Sequence, residues 1–119
     1  MARETQATYL RLNGKYLTDA EKLLAEGDYP QASEKFWGAC AEAIKAVAAR
    51  KGKRLGSHRS LAEFIETLDA DHPEWGLPRL FNAANSLHAN FYEDWLTPKV
   101  VEDGAEAVRE MVTRLKRLL

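Results

Sequence analysis

The segment from Tyr29 to Lys51 constrains the fold more than any other part of the chain. Placed on a helix at 100° per residue, Ala32, Phe36, Ala39, Ala43 and Val47 form one stripe. Ser33, Trp37, Cys40, Ala41, Ile44 and Ala48 widen it past half the circumference. The polar strip that remains holds Glu34, Lys35, Glu42 and Lys45, together with the small residues Gly38 and Ala49. A helix this apolar has to be covered on two sides. It is either central to a bundle or packs against a second subunit as well; left bare, Trp37 would add to a sizeable sticky patch. Its start is well marked, with Gly27 ending the preceding helix, Asp28 as cap, Pro30 in the first turn and Gln31 at capping-box spacing.

The remaining segments show the same 3- and 4-residue spacing. Tyr9, Leu12, Tyr16, Leu17, Ala20, Leu23 and Leu24 predict a helix over about 3–26. Ser57 or Ser60 caps a shorter third helix, buried through Leu61, Phe64, Ile65 and Leu68, and DADHPEWG (69–76) reads as a turn. A fourth helix is expected over Leu77 to Leu96, and a fifth from Thr97-Pro98 to the C-terminus, carried by Val101, Ala105, Val108, Val112 and Leu115. No stretch alternates with period 2, so no strand is predicted. The expected fold is all-α, an antiparallel up-and-down bundle of four long helices plus one short one, with residues 1–119 as one domain.

Composition narrows the functional classes. The formal net charge of -1 argues against a uniformly basic nucleic-acid binder, but leaves room for a local basic patch. The single cysteine, Cys40, has no partner for an internal disulfide and sits among apolar residues, as a packed thiol would. No apolar run approaches the ~20 residues of a membrane span. The N-terminus lacks a signal-peptide core. A soluble, cytoplasmic protein without membrane association is expected.

Two features carry chemistry. On the fourth helix, Leu77, Leu80, Phe81, Ala84, Leu87, Phe91 and Trp95 share one arc, and His88 falls inside it, with Asn85 and Tyr92 at the edge. Arg79, Asn82, Ser86, Asn90 and Glu93 are placed on the opposite side. His88 is either a half-buried packing residue with one satisfied hydrogen bond or a functional imidazole with Asn85 and Tyr92 as neighbours. The second feature is the loop GKRLGS (52–57) with its flanks, where Arg50, Lys51, Lys53, Arg54 and Arg59 cluster beside a helix N-terminus. It reads either as a solvated loop or as a phosphate-contacting patch. His58, at the start of the third helix, reads as a capping or surface residue. No metal-ligand array is recognisable, and no cofactor is expected.

The run LLAEGDYPQASEKFWGACAEAIKAVAARKG (23–52), then Ser57-His58-Arg59-Ser60-Leu61, then LHANFYEDWL (87–96), resembles the archaeal PaREP family. That family is related to the HEPN (higher-eukaryote and prokaryote nucleotide-binding) helical bundles. The resemblance implies an HEPN-like homodimer of four- to five-helix bundles. Many HEPN proteins are metal-independent RNases of toxin–antitoxin or defence systems, whose motif is an arginine, then four to six intervening residues, then a catalytic histidine. His88 matches that histidine, but the arginine positions hold Phe81, Asn82 and Ala83.

Three functions are therefore expected to compete. One is a module binding a nucleotide, an RNA or a protein partner around Asn85, His88 and Tyr92, approached by Glu42 and Lys45, with Arg54 and Arg59 on phosphates. Another is an RNase using His88 as catalytic residue, with a basic group supplied by another helix. The third is a structural or adaptor bundle.

Overall fold

The computed structural model describes residues 2–119, with side chains described from Gln6 onward. Among these residues there are five α-helices and no strand: α1 (Ala2–Ala25), α2 (Tyr29–Arg50), α3 (His58–Asp71), α4 (Leu77–Glu93) and α5 (Pro98–Lys116). A short 3-10 turn, Pro73–Trp75, follows α3. The stretch expected to be a turn from residue 69 is thus helical for three more residues, and α4 ends at Glu93 rather than at Leu96.

α2 is the centre. It packs on α1, α4 and α5 and touches α3, so its wide apolar arc is covered within the chain. Phe36, Ala39, Cys40, Ile44 and Val47 are fully buried. Phe36, Cys40, Ile44 and Val47 meet Leu77, Ala84 and Leu87 of α4 and Val101, Ala105, Val108, Met111 and Leu115 of α5 in one core. That arc is accounted for by intrachain packing and argues nothing about a second copy.

Two close approaches fix how the helices pack. Gly38 lets the Tyr16 ring of α1 lie against α2; a Cβ there would come within 3.0 Å of Tyr16 Cδ2. Next to it, the buried Asn13 donates from Nδ2 to the Ala39 carbonyl at 2.7 Å. Gly104 does the same between α5 and α4, where a Cβ would lie 2.8 Å from Leu87 Cδ2. At the other edge of the bundle, Arg109 of α5 donates twice to the Glu21 carboxylate of α1.

The helix ends follow local chemistry. Asp28 Oδ1 accepts from Gln31 N, and Thr97 Oγ1 accepts from Val100 N. Ser57 and Ser60 cap each other reciprocally, each hydroxyl taking the other's backbone N–H at 3.0 Å.

α4 stops because Asp94 turns left-handed, with φ of 46°. Asn90 then organises the exit: its Oδ1 accepts from the N–H groups of Trp95 and Leu96, both at 2.8 Å, and its Nδ2 donates to Ser33 Oγ on α2. Asn90 is fully buried, which corrects its assignment to the solvent side. Trp95, placed on the buried arc by periodicity, is 63% exposed, because the helix carrying that periodicity has already ended.

Candidate functional site

On α2, Glu34, Trp37 and Ala41 share one face at spacings of three and four. On α4, Asn85, His88 and Tyr92 share another at the same spacings. These two faces meet, and α3 begins beside them. Its first residue, His58, projects back over Trp37 because Ser57 holds the chain in a sharp capped start.

The result is an aromatic cluster drawn from three helices. The His58 ring stacks on the Trp37 indole with centroids 4.7 Å apart and planes within 8°. His88 lies against the same indole at 5.1 Å. The two imidazoles are 5.5 Å apart. Phe81 backs the cluster at 5.8 Å from Trp37, and Tyr92 meets His88 edge-on at 5.6 Å. Trp37 is 8% exposed, while His58 is on the surface. The indole is therefore a buried floor, and the imidazoles are the groups that face outward.

Each imidazole has one nitrogen engaged. Nδ1 of His88 is 2.8 Å from Glu34 Oε1, and both side chains are only about a third exposed. An ionised carboxylate can only accept, so Nδ1 donates, and in the neutral ring Nε2 then keeps its lone pair. Nε2 of His58 is hydrogen-bonded to Asn85 Oδ1. With that oxygen accepting, Nδ1 of His58 is the ring's available base.

Two adjoining grooves open beside the cluster and share Trp37, Ala41 and Lys45. One, of about 300 Å³, lies between α1 and α2 and is lined by Tyr16, Glu34, Glu42 and Lys45. The other, of about 400 Å³, is lined by Tyr9, Lys45, Arg54, Ser57 and His58. The second is cationic at its rim and ends at the α3 N-terminus, where backbone dipoles favour negative charge. Lys45 sits 3.6 Å from Glu42 Oε1 and 5.9 Å from the Tyr9 ring centroid.

The expected residues are brought together only in part. Asn85, His88 and Tyr92 do share the site, but Asn85 bonds His58 rather than His88. The carboxylate that reaches His88 is Glu34, not Glu42. Glu42 and Lys45 line the groove next door, and Arg54 lines the one with His58. Arg59 lines neither groove; its side chain is 87% exposed and paired with Glu63. Periodicity passed over His58, Glu34 and Trp37 as site residues. The i, i+3, i+7 match between the two helix faces was visible in the sequence, whereas the His58–Trp37 contact has no local signature.

Other chemistries find little support. Burial pushes the Cys40 thiol up to about 12, and a thiol held protonated is no nucleophile. Among the described residues, no three histidine, cysteine, aspartate or glutamate side chains converge to hold a metal ion. No helix among them is long and apolar enough to cross a membrane.

Fold and cluster together define a small all-helical protein with a paired-imidazole, tryptophan-floored site. The chain belongs to the archaeal PaREP1/PaREP8 family, which it matches over residues 8–112. It is also similar to a Sulfolobus solfataricus protein of known crystal structure, with 28% identity and a TM-score of 0.80 over 90% of this chain and 95% of that one. No curated protein matches the sequence.

Proposed function

We propose that the protein binds a nucleotide or the nucleotide unit of an RNA, with its phosphate in the groove formed by Lys45, Arg54, Ser57 and His58. The observation carrying this reading is that an exposed imidazole, two cationic side chains and a capped helix start line one groove beside a stacked indole. Cations and helix N–H groups suit phosphate oxygens. Aromatic faces suit bases. Glu34 and Asn85 hold the two imidazoles, so the site is organised before a ligand arrives.

Calorimetric titration of nucleoside monophosphates into the full chain tests it. Binding is expected to weaken about tenfold or more in Arg54→Ala, since a charge-assisted contact contributes about 1.5–3 kcal/mol, and by less in His58→Ala, which removes a ring that lines the groove. A folded wild type that binds no nucleotide overturns the proposal.

A second reading is favoured by the separation of the two imidazoles, 5.5 Å between centroids. Two such rings suit metal-independent RNA cleavage. One takes the proton of a 2′-hydroxyl as its oxygen attacks the adjacent phosphorus; the other, protonated, gives a proton to the departing 5′-oxygen. The products are a 2′,3′-cyclic phosphate and a free 5′-hydroxyl. This reading replaces the arginine absent ahead of His88 with Lys45 and Arg54 as partners of the phosphate charge. Cleavage that persists in chelator and is lost in both His58→Ala and His88→Ala supports it. RNA left intact by the wild type rejects it.

A further inference from the structure

Glu42 presents an unusual carboxylate. It lines the α1–α2 groove, yet its Oε2 is buried and has no hydrogen-bond partner among the described residues. Its Oε1 lies 3.6 Å from Lys45 Nζ, longer than a charge-assisted hydrogen bond. A desolvated carboxylate oxygen without a donor is costly, so its retention in a groove points to a donor that arrives with a ligand.

We infer that this groove reads the donor edge of a guanine base, with Glu42 as the acceptor. The inference rests on the nucleotide reading above and adds the identity of the base. A carboxylate offers two coplanar acceptors and no donor. Guanine is the standard base that sets two donors side by side, N1–H and the N2 amino group. Adenine and cytosine place a ring-nitrogen acceptor next to their amino group, facing one carboxylate oxygen with a lone pair. Uracil has one N–H between two carbonyls. The other three bases therefore each satisfy one oxygen and repel the other.

Lys45 couples the two halves of the site. It lines both grooves, standing between Glu42 on one side and Arg54 and His58 on the other. A phosphate in the cationic groove competes for its ammonium and releases Glu42 Oε1. The freed carboxylate then turns into the groove, bringing Oε2 out of its buried position so that both oxygens meet the base. The grooves adjoin at Trp37, Ala41 and Lys45, so base and phosphate of one mononucleotide span them. Tyr16 flanks the base side, with its ring held against Gly38.

The test is equilibrium binding of GMP, IMP, AMP, CMP and UMP to the full chain, followed by calorimetry, with Glu42→Gln as the variant. GMP is expected to bind about tenfold or more tighter than AMP, CMP and UMP. IMP, which keeps N1–H and lacks the amino group, is expected to fall between. In Glu42→Gln the ratio of GMP to AMP affinity should drop about tenfold, because an amide replaces one acceptor with a donor. The wild-type base series needs no variant, so a misfolded Glu42→Gln protein does not shield the claim. Nucleotides bound without preference for GMP overturn the guanine assignment and leave nucleotide binding standing. No binding of any of the five overturns both.

Discussion

Glu34 and His88 stand 54 residues apart in the sequence and 2.8 Å apart in the fold, a carboxylate on α2 holding Nδ1 of an imidazole on α4. The contact links the bundle's central helix to the site and fixes which ring nitrogen of His88 is left with a lone pair. It is half-buried, so it should register in stability. A double-mutant cycle of Glu34→Gln and His88→Gln in urea unfolding is expected to give a coupling energy of about 0.5–1.5 kcal/mol. Coupling indistinguishable from zero would show that the pair does not act together.

Asn90 is expected to be the costliest polar residue on α4 to remove. Its amide serves two backbone N–H groups of the α4–α5 connection and one hydroxyl of α2. Asn90→Ala leaves the Ser33 hydroxyl and two part-buried N–H groups without that partner, at about 2–3 kcal/mol in total. Denaturant titration measures this, and hydrogen exchange at Trp95 and Leu96 should accelerate with it.

Gly104 illustrates a close approach that helix propensity alone would misjudge. Alanine is the better helix former by about 1 kcal/mol, but its Cβ would lie 2.8 Å from Leu87 Cδ2. Because Leu87 is fully buried, the clash outweighs propensity, and Gly104→Ala should destabilise by about 1–3 kcal/mol. An unchanged or raised melting temperature would contradict this packing.

Acid should weaken the α1–α5 edge. The hydrogen bonds from Arg109 hold the Glu21 carboxyl below its ordinary value of 4.5. A carboxyl depressed in the folded state contributes stability that is fully present above the unfolded value and lost as pH falls through the folded one. Both side chains are more than 40% exposed, so solvent screening keeps the contribution to at most about 1 kcal/mol. Glu21→Gln should lower stability at neutral pH by up to that amount, converge with the wild type in acid, and so flatten the acid limb of the stability profile.

The helices and most of the core were legible because burial repeats at 3.6 residues, and an apolar arc too wide for one neighbour left α2 either central or shared with a second subunit; the fold shows it central. The ends were less so. Nothing in the periodicity of 77–96 revealed that Asp94 would turn left-handed, so Trp95 was assigned to the core and Asn90 to solvent. Within the site, His88, Asn85 and Tyr92 were found because one helix repeat links them. His58 and Glu34 were missed because each reaches the cluster through a contact between helices.

The most direct measurement is a titration of GMP into the isotopically labelled protein, followed in ¹H–¹⁵N spectra. The account predicts shifts concentrated at the Trp37 indole N–H, Lys45, Arg54, Ser57 and His58, with the α5 residues far less affected. Shifts absent throughout, or centred on the exposed Trp95 and Val100 surface instead, would contradict it.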